Sequence, residues 1–302
     1  KDELIHMKRV GFIGLGDMGM AMALNLIKAG FELTGFDLRQ ERLDMLKEAG
    51  GKPASSPAEA AQGADAVFIM VMTGAQAEAV VCGEGGLLTT MARGSTILLT
   101  ATIKPGEART LIDPVAKAGV HLIDSPVSGG KGGADSGTLT LMASAPQEVF
   151  EANQDLMQAV GQKLFHVGED VGMGQTVKAS LQALIGSTFT AIFESLVLGS
   201  KAGVDGKVLY DVFTASGVGS PLLANCSKLI MDRAFKGTGS QIGTMYKDLG
   251  ISMDMAKENG CSMFTAAAAH ELFRAGISLF PEEDNWSIVK LLEQIADTEV
   301  KW

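Results

Sequence analysis

In the first half of the chain, apolar residues come in short, nearly unbroken runs. Each run is followed by a stretch with apolar positions three and four apart. The runs RVGFI (Arg9–Ile13), FELTGF (ending before Asp37), AVFIMVM (Ala66–Met72), STILLT (Ser95–Thr100), HLIDSPV (His121–Val127), TLTLMAS (Thr138–Ser144) and KLFHVG (Lys163–Gly168) predict strands. Helical spacing covers Met18–Ala29, Gln40–Ala49, Ala75–Val81, Pro105 towards Ala118, and Pro146–Val160, with Gly30 placed to close the first helix. Strands alternating with helices predict βαβ units on a parallel sheet. Such strands are covered on both faces, which is why they read as near-continuous apolar runs.

Beyond Gly174 the period changes. Val177–Ala202 is a long, mostly apolar helical run with many small residues. Helical spacing recurs near Gly206–Thr214, Pro221–Met231, Met245–Asn259, Met263–Ala275 and Asp284–Asp297, without a convincing strand. The expected class is α/β: an N-terminal Rossmann-type doubly wound parallel sheet, plus an all-α C-terminal domain joined by a long helix. The expected domains are 7–170 and 171–302, with Lys1–His6 read as a remnant ahead of Met7, outside the fold. A helix that is apolar most of the way round is normally buried, here between domains or subunits. This predicts a homodimer or homotetramer, with the active cleft between domains.

Composition narrows the partners. A net charge of −10 and a pI near 4.9 argue against general nucleic-acid binding, which needs a basic footprint. A local basic pocket for a small acid remains open. No apolar run reaches the roughly 18 uninterrupted residues of a membrane span, so no membrane partner is expected. Cys82, Cys226 and Cys261 are odd in number and widely spaced, which fits a reducing, cytoplasmic setting, and all three read as small buried side chains. The four histidines show no helical ligand spacing, so no metal is expected. The sixteen methionines read as core filler.

The strongest single motif is Gly14-Leu15-Gly16-Asp17-Met18-Gly19. It follows a strand, opens a helix, and is trailed by Asp37 at the end of the next strand. Gly14 makes the tight turn, Gly16 lets a pyrophosphate approach the backbone, and Gly19 lets helix and strand pack closely. The helix N-terminus offers free N–H groups to the phosphates. Asp37 would accept from the adenosine ribose hydroxyls and repel a 2′-phosphate, which selects NAD. Arg39, two residues on, could hold that phosphate and keeps NADP in play. The plain alternative is a glycine-rich turn without a ligand.

Four strings in order then carry a family resemblance: VGFIGLGDMG, DSPVSGG (Asp124–Gly130), GMGQTVK (Gly172–Lys178) and KDLG (Lys247–Gly250). From Val10 to about Ile295 the chain resembles the β-hydroxyacid dehydrogenases, the group that contains 3-hydroxyisobutyrate dehydrogenase and tartronate semialdehyde reductase. The resemblance implies that Ser128, Gly129 and Gly130 bind the substrate acid and that Lys178 is the catalytic lysine. It places Thr102 on the nicotinamide ribose, Met72 and Thr73 along the cofactor, and Lys247 against cofactor and substrate. Read from the residues alone, a Ser-Gly-Gly turn after a strand end offers a hydroxyl and consecutive N–H groups to a carboxylate. Lys178 is either a snorkelling surface lysine or a buried amine whose pKa falls by desolvation until it can take a hydroxyl proton. Thr102 could equally be a capping hydroxyl for the following helix.

Two departures stand out. The serine that relatives carry before the threonine is Ala101 here. Many relatives read K-x-x-N-N, whereas this chain reads Lys178-Ala179-Ser180-Leu181-Gln182. Gln182 lies one turn from Lys178, so its amide could replace the missing asparagine on the substrate carboxylate or hydroxyl. The Lys-then-Gln pattern is similar to the L-threonate dehydrogenase branch. The expected activity is NAD-dependent oxidation of a small hydroxy acid. Its alternatives are a semialdehyde or keto-acid reductase, and a non-catalytic NAD sensor.

Overall fold

The computed structural model describes Met7–Trp302; the segment Lys1–His6 lies outside the described residues. The chain runs β1 (Arg9–Ile13), α1 (Asp17–Lys28), β2 (Glu32–Phe36), α2 (Gln40–Glu48), β3 (Lys52–Pro53), α3 (Pro57–Ala61), β4 (Ala66–Ile69) and α4 (Gly74–Cys82). It continues with β5 (Thr96–Leu99), α5 (Pro105–Thr110), α6 (Ile112–Lys117), β6 (His121–Asp124), β7 (Val127–Ser128), α7 (Gly130–Ser136), β8 (Leu139–Ser144), α8 (Gln147–Ala152), α9 (Gln154–Val160) and β9 (Gly161–Gly168).

These strands form one mostly parallel sheet in the order β3-β2-β1-β4-β5-β6-β8-β7, with β9 on β8. From β3 to β6 every neighbour is parallel; β6 and β7 meet β8 antiparallel, and β9 rejoins it parallel. The order reverses between β1 and β4, which is where an open α/β sheet binds its ligand. Successive residues of each strand enter different cores. Phe12, Phe68, Leu98 and Ile123 pack with α1, while Ile13, Ile69, Leu99 and Leu122 pack on the opposite face. Phe12 and Phe68 are register partners whose rings lie 5.5 Å apart and 3° from parallel. A ring pair of this kind adds roughly 0.5–1.5 kcal/mol to simple burial.

Several elements end earlier than the apolar pattern suggests. β4 stops at Ile69 instead of Met72, because β1 and β5 on its flanks have already ended at Ile13 and Leu99. HLIDSPV is two strands: the β5–β6 ladder ends with Ser125 N–H on Leu99 O, and beyond Pro126 the chain pairs only with β8. The helix expected after Pro105 is broken at Leu111; Pro114 has no N–H to give to Thr110. The turn after Ser128 opens directly into a helix, α7, which the sequence pattern does not announce.

Only helices follow Gly168 among the described residues: α10 (Met173–Lys201), α11 (Gly206–Ala215), α12 (Pro221–Met231), α13 (Ile242–Glu258), α14 (Phe264–Leu279) and α15 (Val289–Ala296). The chain divides within α10 into two compact units, the first ending at Lys178 and the second being Ala179–Trp302. The second unit has its own core, in which Phe189, Phe193 and Leu196 of α10 join Leu249, Phe273 and Trp286. Phe189 meets Trp286 edge-on at 5.3 Å.

Helix α10 is long and apolar enough, by length and composition, to cross a membrane, and half of that stretch is buried inside the protein. An unbroken-run criterion misses it because small and hydroxyl residues punctuate the helix. The cysteines also need correction: Cys226 is buried, but Cys82 and Cys261 are exposed. Cys82 ends α4 and Cys261 follows α13, and neither position belongs to an apolar face.

Candidate active site

The turn after β1 shows three glycines with three different constraints. Gly14 has φ +92°, and a Cβ there would stand 2.2 Å from Met70 O. A Cβ on Gly19 would stand 1.9 Å from Gly14 O, so α1 reaches the turn only because that side chain is missing. A Cβ on Gly16 would meet nothing closer than Arg39 Nη2 at 3.9 Å. Space is therefore kept open at Gly16, where no packing demands it. The first turn of α1 has no side-chain cap, and Asp17 turns its carboxylate to Arg42 at 3.1 Å. Leu15 is buried and Met18 is packed against the core. The open space and the uncapped N–H groups fit a pyrophosphate.

Asp37 closes this end. Its Oδ2 accepts from Leu15 N–H at 2.8 Å, and its Oδ1 from Arg39 N–H at 2.9 Å. The Arg39 guanidinium adds Nε at 3.0 Å and Nη2 at 3.2 Å. Burial pushes the carboxyl up, but the hydrogen bonds from Arg39 and Leu15 outweigh it and hold Asp37 below the usual carboxylate range. Arg39 is in turn raised by Asp37. The arginine that could greet a 2′-phosphate is thus folded onto the aspartate.

The other predicted contacts sit on the loops after β4, β5 and β7. Met72 is half exposed. Thr73 caps α4: its Oγ1 accepts from Gln76 N–H at 3.1 Å, while Gln76 Oε1 accepts from Thr73 N–H at 3.2 Å. Thr102 is not the cap of α5; that helix is capped at Lys104, whose N–H donates to Glu107 at 2.9 Å. Ser128 ends β7 opposite Thr140, and Gly129 and Gly130 follow with φ +133° and +60°. Both angles favour glycine, so this turn is built around its glycines.

Lys178 lies in the second turn of α10 and is 6% exposed. The start of that helix is held from a distance. Asp124, at the end of β6, accepts from Gly172 N–H at 2.9 Å and Gln175 N–H at 3.2 Å through Oδ2. Ser144 Oγ donates to the same oxygen at 3.3 Å. Gln175 Nε2 donates to Asp124 Oδ1 at 2.8 Å and to Ala101 O at 2.9 Å, and its Oε1 accepts from Ile103 N–H at 3.0 Å. Burial pushes the Asp124 carboxyl up, against the pull of these donors.

In the second unit, Gln182 and Asp248 form a buried pair, with Nε2 donating to Oδ2 at 2.8 Å. Lys247 Nζ stands 3.1 Å from Asp248 Oδ1. Among the described residues that oxygen accepts no hydrogen bond, so the Lys247 contact is one of charge. The predicted residues therefore fall into local groups: Gly14 to Gly19 with Asp37, the loops around Thr102 and Ser128, and Gln182 with Lys247.

Asp124 and Gln175 were legible only as letters inside two motifs. The available signal is polarity: Asp124 ends an apolar strand and Gln175 opens a mostly apolar helix, and both side chains are hydrogen-bonded to protein partners.

Comparison with known proteins agrees with both units. Residues 9–168 match the family described as NAD binding domain of 6-phosphogluconate dehydrogenase, and residues 172–292 the one described as NAD-binding of NADP-dependent 3-hydroxyisobutyrate dehydrogenase. A probable mitochondrial 3-hydroxyisobutyrate dehydrogenase of Dictyostelium discoideum is 36% identical, over 93% of this chain and 89% of its own. An L-threonate dehydrogenase of Cupriavidus necator is 35% identical, over 95% of this chain and 97% of its own. The crystal structure of a 3-hydroxyisobutyrate dehydrogenase from Salmonella typhimurium superposes with a TM-score of 0.85 at 29% identity, covering 94% of this chain and 99% of its own. The chain belongs to the β-hydroxyacid dehydrogenase family and is a nicotinamide-dependent enzyme.

Proposed function

We propose that this enzyme oxidises the hydroxyl of a small hydroxy acid, with NAD as cofactor and Lys178 as the acid–base group. Bound NAD supplies the acceptor for the hydride that leaves the carbinol carbon. The chain's own work is then to take one proton and to hold one carboxylate. The Lys178 amine takes the proton of the hydroxyl oxygen as the C–H bond breaks and the carbonyl forms. The Ser128-Gly129-Gly130 turn holds the acid, and Gly14 to Gly19 with Asp37 hold the dinucleotide. The observation that carries this reading is the burial of Lys178 in a helix whose start is fixed by three hydrogen bonds to Asp124.

The same groups run the reverse reaction, with Lys178 returning the proton to a semialdehyde or keto acid. Oxidation is favoured here because an ionised Asp37 disfavours the 2′-phosphate of NADP. Among hydroxy acids, those with neighbouring hydroxyls are favoured by Gln182, and the similarity to an L-threonate dehydrogenase points the same way. The exposed positions Leu184 and Leu198 on α10 support a homo-oligomer. Absorbance of NADH with threonate, serine, glycerate and 3-hydroxyisobutyrate tests the activity. Turnover of none of them removes this reading.

A further inference from the structure

We propose that Gln175 is a positioning residue for Lys178, locking the first turn of α10 both to the loop Ala101–Ile103 and to the buried carboxylate of Asp124. The proposal rests on the reading of Lys178 as the acid–base group. It concerns how that amine is aimed.

The geometry is specific. A helix normally has its first N–H groups capped by a residue just before it. Here the cap is Asp124, which lies 48 residues before Gly172 and 51 before Gln175 in the chain. Asp124 also leads through Pro126 into the Ser128 turn, so one carboxylate joins the helix that carries Lys178 to the strand that leads to the acid-binding turn. Gln175 completes the lock. Both hydrogens of its amide are used, on Asp124 Oδ1 and Ala101 O, and its oxygen takes Ile103 N–H. At 1% exposure it has no surface left for a ligand.

Ala101 and Ile103 flank Thr102, so this side chain fixes that threonine's backbone from both sides. The departure from serine at Ala101 does not disturb the lock, because the contact is to the carbonyl. Gln175 and Lys178 are three residues apart on one helix and share a face. A shift at Gln175 is therefore felt at the amine, and a displacement of about 1 Å at a reacting group costs on the order of 100-fold in rate.

The test is steady-state kinetics of the full chain carrying Gln175→Met, which keeps the length and the backbone N–H bond to Asp124 but removes all three side-chain hydrogen bonds. Activity is read with the best hydroxy acid, and NADH binding by fluorescence. The expected result is a fall in kcat of about 10- to 100-fold, with KM for the acid and NADH affinity within about threefold of the unmodified enzyme. Gln175→Glu is the second variant. It sets a carboxylate against Asp124, so its kcat relative to the unmodified enzyme is expected to rise as pH falls from 9 to 6 and a shared proton restores the bond. The double variant Asp124→Asn/Gln175→Glu reverses donor and acceptor and is expected to regain at least about fivefold over Gln175→Glu at pH 8.

Three results would overturn the proposal: unchanged kcat in Gln175→Met, a pH-independent ratio for Gln175→Glu, or no recovery in the double variant. If Gln175→Met fails to fold, the last two measurements decide. Lys178→Ala, assayed alongside, separates the two ideas. Turnover retained by Lys178→Ala removes the acid–base reading itself, whereas an inactive Lys178→Ala beside a normal Gln175→Met removes only the lock.

Discussion

Gln182 points its amide nitrogen at Asp248 Oδ2 across 2.8 Å, and both side chains are buried. A carboxylate can only accept, so this contact fixes which end of the amide is which. The nitrogen belongs to Asp248, and the oxygen is the acceptor end. The sequence allowed Gln182 to meet either a carboxylate or a hydroxyl; an acceptor end suits a hydroxyl. Gln182→Leu is therefore expected to lower kcat/KM for an acid with neighbouring hydroxyls about tenfold more than for 3-hydroxyisobutyrate. It also leaves Asp248 without its neutral donor, at a cost of about 1–3 kcal/mol in urea unfolding. Equal losses on both acids would remove Gln182 from substrate selection.

The three turn glycines should separate cleanly on substitution. Gly14→Ala puts a methyl at φ +92° and 2.2 Å from a backbone oxygen; Gly19→Ala drives one to within 1.9 Å of another. Both are expected to destabilise the fold by roughly 3 kcal/mol or more, at the top of the usual range for point variants. Gly16→Ala meets no protein atom within 3.9 Å, so its stability should stay within about 0.5 kcal/mol. NADH affinity, however, should drop at least about tenfold. Thermal unfolding together with NADH titration distinguishes the three.

Asp37 and Arg39 hold each other, and the two substitutions should move cofactor choice in opposite directions. Asp37→Ala frees the guanidinium and removes the negative charge, so NADP should gain on NAD by at least about tenfold in kcat/KM. Arg39→Ala should weaken residual NADP use and spare NAD. The acid limit follows from sign. Because the folded carboxyl lies below its ordinary value, its stabilising bonds are present above the ordinary carboxylate range and are lost only as pH falls through the lowered value. NAD affinity is therefore expected to be flat between pH 8 and 6. An apparent loss near neutrality would assign the ribose contact to another group.

Thiol reactivity checks the corrected cysteine placement. Cys226 is buried and its thiol is raised far above the usual range by burial, so it should label only after unfolding. Cys261 is exposed and should label in the native state. Cys82 is exposed too, yet burial of its sulfur and the nearby Glu78 raise its thiol, so it should react more slowly than Cys261. One native-state label instead of two would contradict the placement.

Much of the first unit could be read from periodicity, because strands covered on both faces leave runs such as Ala66–Ile69 that nothing else resembles. Their ends could not, since β4 stops where its neighbours stop, and that is a property of the sheet. The glycine motif was legible for the same local reason: Gly14, Gly16 and Gly19 act within six residues of one another. Asp124 and Gln175 were hidden because their role exists only once segments 51 residues apart are brought together. Residue type alone does not give the exposure of Cys82 and Cys261, which follows from their places at the end of α4 and after α13. The orientation of the Gln182 amide was similarly out of reach, since its partner lies 66 residues away.

The most direct test of the account is single-turnover NADH formation by Lys178→Ala, with NADH binding measured on the same sample. The account predicts that turnover falls by at least about 1,000-fold while NADH affinity stays within about threefold, as expected for loss of a proton acceptor. Turnover within tenfold of the unmodified enzyme would contradict it, because the hydroxyl proton would then be leaving by another route.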